Sequence, residues 1–508
     1  TFGNLFILAR FPKVSSYFSS NQSCNSKLKN NFAIVINTQD LQIMLIGREK
    51  EKTELLDALN SDASEFVAIY GRRRVGKTYL IRETFNYQFA FQHTGILKAP
   101  LKEQLKEFRQ SLYNVGMKKS ALPQSWSDAF HLLEDWLSNL PEGKKIVFID
   151  ELPWMDTPRS NFIRALDHFW NGWATTRRDI LLIVCGSATS WIIDNIIMNY
   201  GGLHNRLTKK IHLRPFTLSE CENYSRSLNL GYTKRNIMEA YMAIGGIPYY
   251  WSFMKKGQSV AQNFDHMFFD EDGEMTMEYD ALYASLFNNP TTHISIIQAL
   301  ATKKIGLTRY DILKKAKLKD SGVFNKALKE LEQCGFIRKY TCIGNKVKDS
   351  VYQLIDNFTL FYFQFMMKNN NGDKHFWTTM YNSPLHNTWA GLAFERVCLQ
   401  HIEQIKKALG FSAVISTAHA WPRKEAQIDL LIDRNDDTIN ICEMKYSKSL
   451  YHLTEEETLK MQQRLDLFRE ETGTTKSIHQ TLITSYGVTS NSNTNQIQSM
   501  LTMDDLFQ

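Results

Sequence analysis

The sequence predicts an α/β protein, with a parallel sheet near the N-terminal side and a smaller α/β domain at the C-terminal end. Three observations predict it. "EFVAIYG" (65–71), "KKIVFID" (144–150) and "DILLIVCG" (179–186) are short apolar runs of the kind that become buried strands. A glycine motif joins the first of them directly to a helix pattern. Far downstream, "QIDLLIDRNDDTINICEMKYS" (427–447) reads as strand, turn and strand. With 508 residues the chain is too long for one hydrophobic core, so three or four domains are expected.

The glycine motif is "YGRRRVGKTYLI" (70–81), which fits G-x-x-x-x-G-K-[ST]. It lies between a strand and a helix N-terminus, where backbone N–H groups and the helix dipole favour a phosphate. Gly71 and Gly76 permit the tight loop, Lys77 would meet the β- and γ-phosphates, and Thr78 would hold Mg²⁺. Val75 and Tyr79 complete the stretch, and Arg72, Arg73 and Arg74 add positive potential, with Arg72 expected to make a further phosphate contact. An ordinary glycine turn is the alternative.

Two later strands carry matching chemistry. The run ending in Asp150-Glu151 places one carboxylate to share the Mg²⁺ and the next to orient and deprotonate a water. "DILLIVCGSATSW" (179–191) ends in Ser187, expected to sense the γ-phosphate or the lytic water; a plain strand-to-helix turn is the alternative. Arg206, in "GGLHNRLTKKIHLRPFTLSE", is a candidate finger for the γ-phosphate, or a surface residue.

"LIGREKEKTELL", "YGRRRVGKT", "FIDELPWM", "CGSATSW", "LRPFTLSE" and "AIGGIPYYW" occur in this order over residues 45 to about 255. In them the chain resembles the archaeal-type ATPase family of the AAA+/STAND group. The resemblance implies an adenine nucleotide, a P-loop sheet whose sensor strand lies between the two Walker strands, and a helical lid containing "GGIP". Gly245, Gly246 and Pro248 would form a turn between lid helices.

Composition narrows the rest. Hydrophobic residues make up 43% and charged residues 22%, as in soluble globular proteins. No apolar run approaches the roughly 18 residues of a membrane span, so no membrane partner is expected. The seven cysteines are scattered without C-x-x-C spacing, which argues for reduced thiols, no zinc site and a cytoplasmic location. Thr1 is not an initiator, so a fragment or processed form is expected, with folding information beginning at Met44 and no role assigned to residues 1–43.

The net charge of +7 is concentrated: residues 301–350 carry 13 Lys/Arg against 5 Asp/Glu. Such a local surplus suits a polyanion. "LTRYDILKKAKLKDSGVFNKALKELEQCGFIRKY" (307–340) reads as two amphipathic helices, the second with Val323, Leu328 and Leu331 inward and Lys326 and Lys329 outward. A strand, turn and strand follow, so a winged helix binding DNA is expected, with inter-domain packing as the alternative.

At the C-terminal end, strand residues two apart share a face, so Glu443 and Lys445 project together while Met444 points to the core. Asp429 and Glu443 could share Mg²⁺ or Mn²⁺ with the Met444 carbonyl, Glu395 could approach from "WAGLAFERVCLQHI", and Lys445 could activate a water. These residues resemble the PD-(D/E)XK nuclease superfamily; Gln427 stands where some active relatives carry an acid. His419 and Trp421 are expected to pack at a strand end, and "DNFTLFYFQFMMK" (356–368) to be a packing helix followed by a polar linker.

The expected organisation is an N-terminal extension (1–43), P-loop ATPase core (44–215), helical lid (216–295), winged helix (296–355), aromatic helix and linker (356–388), and PD-(D/E)XK-like domain (389–508). The expected function is an ATPase that binds DNA and cleaves it, with a homo-oligomer as a candidate assembly. A regulatory ATP switch, or a scaffold with an inactive nuclease-like domain, stays open from sequence.

Overall fold

The computed structural model describes residues 45–198, 202–203, 205–287, 289–340, 350–369, 371–423 and 426–508. The expectations for residues 1–43, and for the turn 341–349 of the basic segment, lie outside the described residues.

Five parallel strands form the first sheet: β1 (Glu65–Tyr70), β2 (Phe91–Thr94), β3 (Lys145–Asp150), β4 (Ile180–Gly186) and β5 (Lys209–His212). Their order is β2-β3-β4-β1-β5, so β4 lies between the two strands that carry the glycine loop and the acid pair, as the resemblance implies. Both faces are covered. Val67 and Ile69 of β1 enter one core with Leu181 and Ile183 of β4, while Phe66 and Ala68 enter a second core with Leu182 and Val184. That two-sided burial explains why these strands read as continuous apolar runs. The site therefore forms at their C-terminal ends.

Helices Leu218–Ser227 and Lys234–Ile244 follow, each started by a capping box, Thr217 with Glu220 and Thr233 with Asn236. The second stops at Gly245, whose φ is 60°. At Gly246 a Cβ would come within 1.9 Å of the Phe216 carbonyl oxygen, so only glycine fits there. The expected "GGIP" turn thus sits between the Lys234–Ile244 helix and the short helix Pro248–Trp251.

Glu239 on this helix is 3% exposed and accepts a hydrogen bond from the Tyr381 hydroxyl at 3.1 Å. Burial pushes its carboxyl up to about 7 from an ordinary value of 4.5, against the opposing Tyr381 bond and the nearby Arg235. A raised carboxyl holds its proton in the folded chain longer than in the unfolded one. Stability is therefore full below pH 4.5 and falls as pH rises to 7. Glu239→Gln should stabilise the chain by about 1–3 kcal/mol at pH 8 and leave it nearly unchanged at pH 4.5. Urea unfolding at the two pH values measures this.

The basic segment folds as β6 (Leu307–Thr308), helices Arg309–Ala316 and Gly322–Gln333, then β7 (Ile337–Tyr340) and β8 (Val351–Leu354), in the antiparallel order β6-β8-β7. Phe324, Ala327, Leu328 and Leu331 form the buried face of the second helix. Val323, expected inward, is 67% exposed. The helix begins at Gly322 behind the Ser321 cap, and the i, i+3, i+4, i+7 stripe starts at Phe324. Next, the aromatic helix Asn357–Gln364 buries Phe358 and Phe361 completely. The stretch expected as a linker is anchored: Trp377 is fully buried, and its backbone N–H donates to Asp265 at 2.8 Å.

The last sheet contains β9 (Ser416–Trp421), β10 (Ile428–Arg434), β11 (Thr438–Lys445), β12 (Ser477–Thr484) and β13 (Ser499–Thr502), in the order β13-β12-β11-β10-β9. Strands β9 to β11 are antiparallel, while β11 to β13 are parallel. Helices Pro384–Gln400 and Glu455–Thr472 flank the sheet sequence. Trp421 is buried edge-on to Phe468, the packing role expected of it.

Candidate functional site

The glycine loop leaves β1 with Gly71 at φ 144° and enters the helix Lys77–Thr84 through Gly76 at φ 93°. A Cβ on Gly71 would lie 2.2 Å from the Leu213 carbonyl oxygen. Both glycines are therefore required by the backbone. The Lys77 ammonium is folded back on its own loop, donating to the carbonyls of Gly71 at 2.9 Å and Arg72 at 3.0 Å.

Thr78 and Asp150 come together as their spacing predicts, the hydroxyl donating to the carboxylate at 2.8 Å. A hydroxyl and a carboxylate at one point supply the hard oxygen ligands that suit Mg²⁺. Asp150 is held by the Glu151 N–H at 2.9 Å and by the Cys185 thiol at 2.6 Å. Glu151 occupies a left-handed conformation, φ 47° and ψ 46°, and accepts from the N–H and hydroxyl of Ser187 at 3.0 and 2.9 Å. Burial, then the neighbouring Asp150, raises the Glu151 carboxyl, with Lys77 and the Ser187 bonds acting against them. Loop lysine, metal-type pair, acid and serine thus converge at the ends of β1, β3 and β4.

The arginines are placed differently from expectation. Arg72, expected on phosphate, is 7% exposed and pairs with Asp356, which is 4% exposed. Its guanidinium stacks over Phe336 at 4.7 Å. Burial alone would lower its pKa, but Asp356 together with weaker neighbours outweighs that, and the net shift is upward. Satisfying a buried cation next to a carboxylate costs less than holding it for an external phosphate. Arg74, at φ 71°, pairs with Glu278 and stacks over Tyr249 at 4.2 Å. Arg73 is half-buried, with its pKa lowered by burial and by Arg74. Val75 is buried, and Tyr79 is half-buried on the first helical turn. Arg206 is exposed on the approach to β5, and no contact among the described residues joins it to Lys77, Asp150 or Glu151.

In the C-terminal sheet, β10 and β11 pair Leu430 with Cys442. One residue further, that register sets Asp429 beside Glu443, on one face with Lys445. The pairing of β10 with β9 shifts between Ile428 and Leu431, a bulge within which Asp429 lies. Met444 is buried, as the alternation requires. The acids are already engaged by cations. Lys304 lies 2.6 Å from Glu395 and 3.4 Å from Asp429, Lys445 lies 3.0 Å from Glu443, and Arg464 pairs with Glu443 as well. Gln427 donates to Asp429. Burial would raise Glu443, but Arg464 and Lys445 outweigh it and hold the carboxyl below its usual range. Among the described residues no three His, Cys, Asp or Glu side chains are arranged to hold a metal. Glu395, Asp429 and Glu443 as placed do not fit the expected ion.

The lysines expected to face DNA are divided. Lys326 is exposed, whereas Lys329 donates at 2.8 Å to Asp194 beyond β4. Missed altogether in the sequence were Asp356, Glu278, Lys304 and Arg464. Among the described residues, no helix is long and apolar enough to cross a membrane.

The family described as an ATPase domain predominantly from Archaea matches residues 45–252. A second family, of archaeal and bacterial proteins of unknown function, matches residues 361–461. An uncharacterised protein of Methanocaldococcus jannaschii is 25% identical over 419 residues, spanning 79% of this chain and 88% of that protein. Among solved structures, the Walker-type ATPase of Pyrococcus abyssi is 18% identical, with TM-score 0.44, covering 62% of this chain and 95% of its own. The ORC2 protein of Aeropyrum pernix is 14% identical, with TM-score 0.39, covering 62% and 92%. Over residues 45–252, then, the chain is similar to the ATPase domain found predominantly in Archaea.

Proposed function

We propose that the chain binds and hydrolyses ATP at the loop of residues 71–78, and that its basic and C-terminal parts act on DNA. The observation that carries the reading is the convergence of Lys77, the Thr78–Asp150 pair and the Glu151–Ser187 pair at one edge of the parallel sheet. Loop N–H groups and Lys77 would bind the β- and γ-phosphates once the ammonium leaves its own carbonyls. Thr78 and Asp150 would hold Mg²⁺, which neutralises charge on the phosphate oxygens. Glu151, its carboxyl raised and aimed by Ser187, would accept the proton of the attacking water. Arg206 would approach the γ-phosphate only after movement of its segment, or from a second copy.

The DNA reading rests on the basic segment, whose helix–turn–helix and hairpin resemble a winged helix. Because Lys329 is engaged by Asp194 and Lys326 lies 3.9 Å from Glu330, the cations proposed to meet phosphates are the exposed Lys314, Lys315, Lys317 and Lys319. Lys315→Glu with Lys317→Glu should weaken duplex DNA binding and reduce its log–log salt slope by roughly two units. Titrations between low and physiological salt measure that slope; an unchanged slope removes this face from the interface.

Cleavage by Asp429, Glu443 and Lys445 is the remaining part of the proposal. The second reading, an ATP switch with an inactive nuclease-like half, is favoured by the cations already seated on all three acids. Plasmid nicking in Mg²⁺ or Mn²⁺ separates the two, scored without nucleotide, with ATP and with a non-hydrolysable analogue. Nicking lost in Asp429→Ala and Lys445→Ala supports the nuclease. Nicking absent throughout supports the switch.

A further inference from the structure

A cavity of about 40 Å³ lies where the basic segment meets the C-terminal part of the chain. Leu392, Glu395, Arg396 and Leu399 line one wall. Their i, i+3, i+4, i+7 spacing makes them one face of the helix Pro384–Gln400. Arg338 of β7 and Gln353 of β8 line another wall, and Lys304 reaches the same space.

The two guanidiniums are the unusual feature. Arg396 has Glu395 beside it in sequence, but adjacent helical positions do not face each other, and the Glu395 carboxylate is taken by Lys304 at 2.6 Å. Among the described residues no carboxylate pairs with Arg396, and its Nε is buried without an acceptor. Burial pulls its guanidinium down to about 10, with Glu395 and then Asp356 acting against that without cancelling it. Arg338 is held by an amide and an aromatic ring: its Nε donates to Gln353 at 2.6 Å, and it stacks over Tyr340 at 4.9 Å. Burial lowers its pKa too, against Tyr340 and Asp429. A buried cation without its own counter-charge is costly to keep.

The sign of the cavity follows from its lining. Four cations, Lys303, Lys304, Arg338 and Arg396, stand against two acids, Glu395 and Asp429. Lys304 is seated on both acids, at 2.6 and 3.4 Å, which leaves the guanidiniums uncommitted. The volume suits about three waters or one tetrahedral oxyanion. Planar guanidinium forks match the oxygens of a phosphate.

We propose that Arg338 and Arg396 form a phosphate-binding site in this cavity, its ligand a phosphate monoester or inorganic phosphate. The site shares no residue with the glycine loop, needs no metal, and leaves Lys304 where it is. One guanidinium comes from the basic segment and the other from the helix Pro384–Gln400, so a bound phosphate ties these two parts of the chain together.

Equilibrium dialysis of radiolabelled orthophosphate against the full chain tests it, with the glycine loop filled by Mg²⁺ and a non-hydrolysable ATP analogue. Wild type should take up one phosphate per chain, saturably. Arg396→Met and Arg338→Met should each weaken that uptake by about 10–100-fold, the scale of a hydrogen bond to a charged group. Arg396→Lys, which keeps the charge but not the fork, should lose less than Arg396→Met. Urea unfolding without phosphate confirms that each variant is folded, and Arg338→Met carries the test if Arg396→Met is not. Displacement of the label by an oligonucleotide with a 5′-phosphate, but not by its 5′-hydroxyl twin, supports the site and makes a nucleic-acid end its ligand. Displacement by neither, with uptake still dependent on both arginines, supports it with free phosphate as the ligand. No saturable uptake by wild type, or equal uptake by wild type and the folded methionine variants, overturns the proposal.

Discussion

Asp356→Ala lowers the stability of the chain by about 4 kcal/mol and weakens its affinity for ATP. Asp356 and Arg72 are both buried, 284 residues apart, and form an ion pair. Removing one member leaves a buried guanidinium without its counter-charge, which typically costs about 3–5 kcal/mol. Two nitrogens of Arg72 already lack hydrogen-bond partners, so nothing nearby takes over. Asp356 also caps the helix Asn357–Gln364, accepting from the Thr359 N–H at 2.9 Å, and loss of such a cap costs about 1 kcal/mol. The effect reaches the nucleotide because Lys77 donates to the Arg72 carbonyl, so movement of Arg72 moves the loop. Asp356→Asn keeps the cap acceptor and should lose less. Chemical unfolding and ATP titration of both variants, with Arg72→Met and the double variant, isolate the pair energy. Wild-type stability in Asp356→Ala would mean that Arg72 finds another partner.

How much of this was readable in the sequence follows from how local each signal is. The strands β1, β3 and β4 announced themselves because burial on both faces leaves an apolar run, and Thr78 with Asp150 because loop and strand end are fixed by the fold. Asp429 opposite Glu443 was readable through the two-residue period of a hairpin. Arg72 was misread because its electrostatics suit a phosphate or a carboxylate equally, and the winner depends on a chain segment 284 residues away. Lys304 carried no signal, since a lysine in a basic segment looks like every other. Val323 reads as inward until the Ser321 cap sets the start of the stripe at Phe324, and "FWTTM" reads as linker because one buried tryptophan in polar surroundings makes no periodic pattern. Patterns within an element were legible, whereas pairings between distant elements were not.

The other large effect falls on catalysis. Glu151→Gln should reduce ATP turnover by about 10²–10⁴-fold, the scale on which a general base contributes, while keeping ATP affinity within a few-fold. The amide keeps the shape and can still accept from Ser187, yet it cannot take a proton from water. Lys77→Ala should act at the earlier step, losing nucleotide binding, because the loop then lacks the one ammonium that can leave the Gly71 and Arg72 carbonyls for a phosphate. The most direct single measurement is steady-state ATP hydrolysis alongside equilibrium ATP binding for wild type, Lys77→Ala and Glu151→Gln. An ATP-hydrolysing site at residues 71–78 predicts hydrolysis and binding in wild type, neither in Lys77→Ala, and binding alone in Glu151→Gln. Hydrolysis at the wild-type rate in Glu151→Gln, or ATP bound normally by Lys77→Ala, contradicts it.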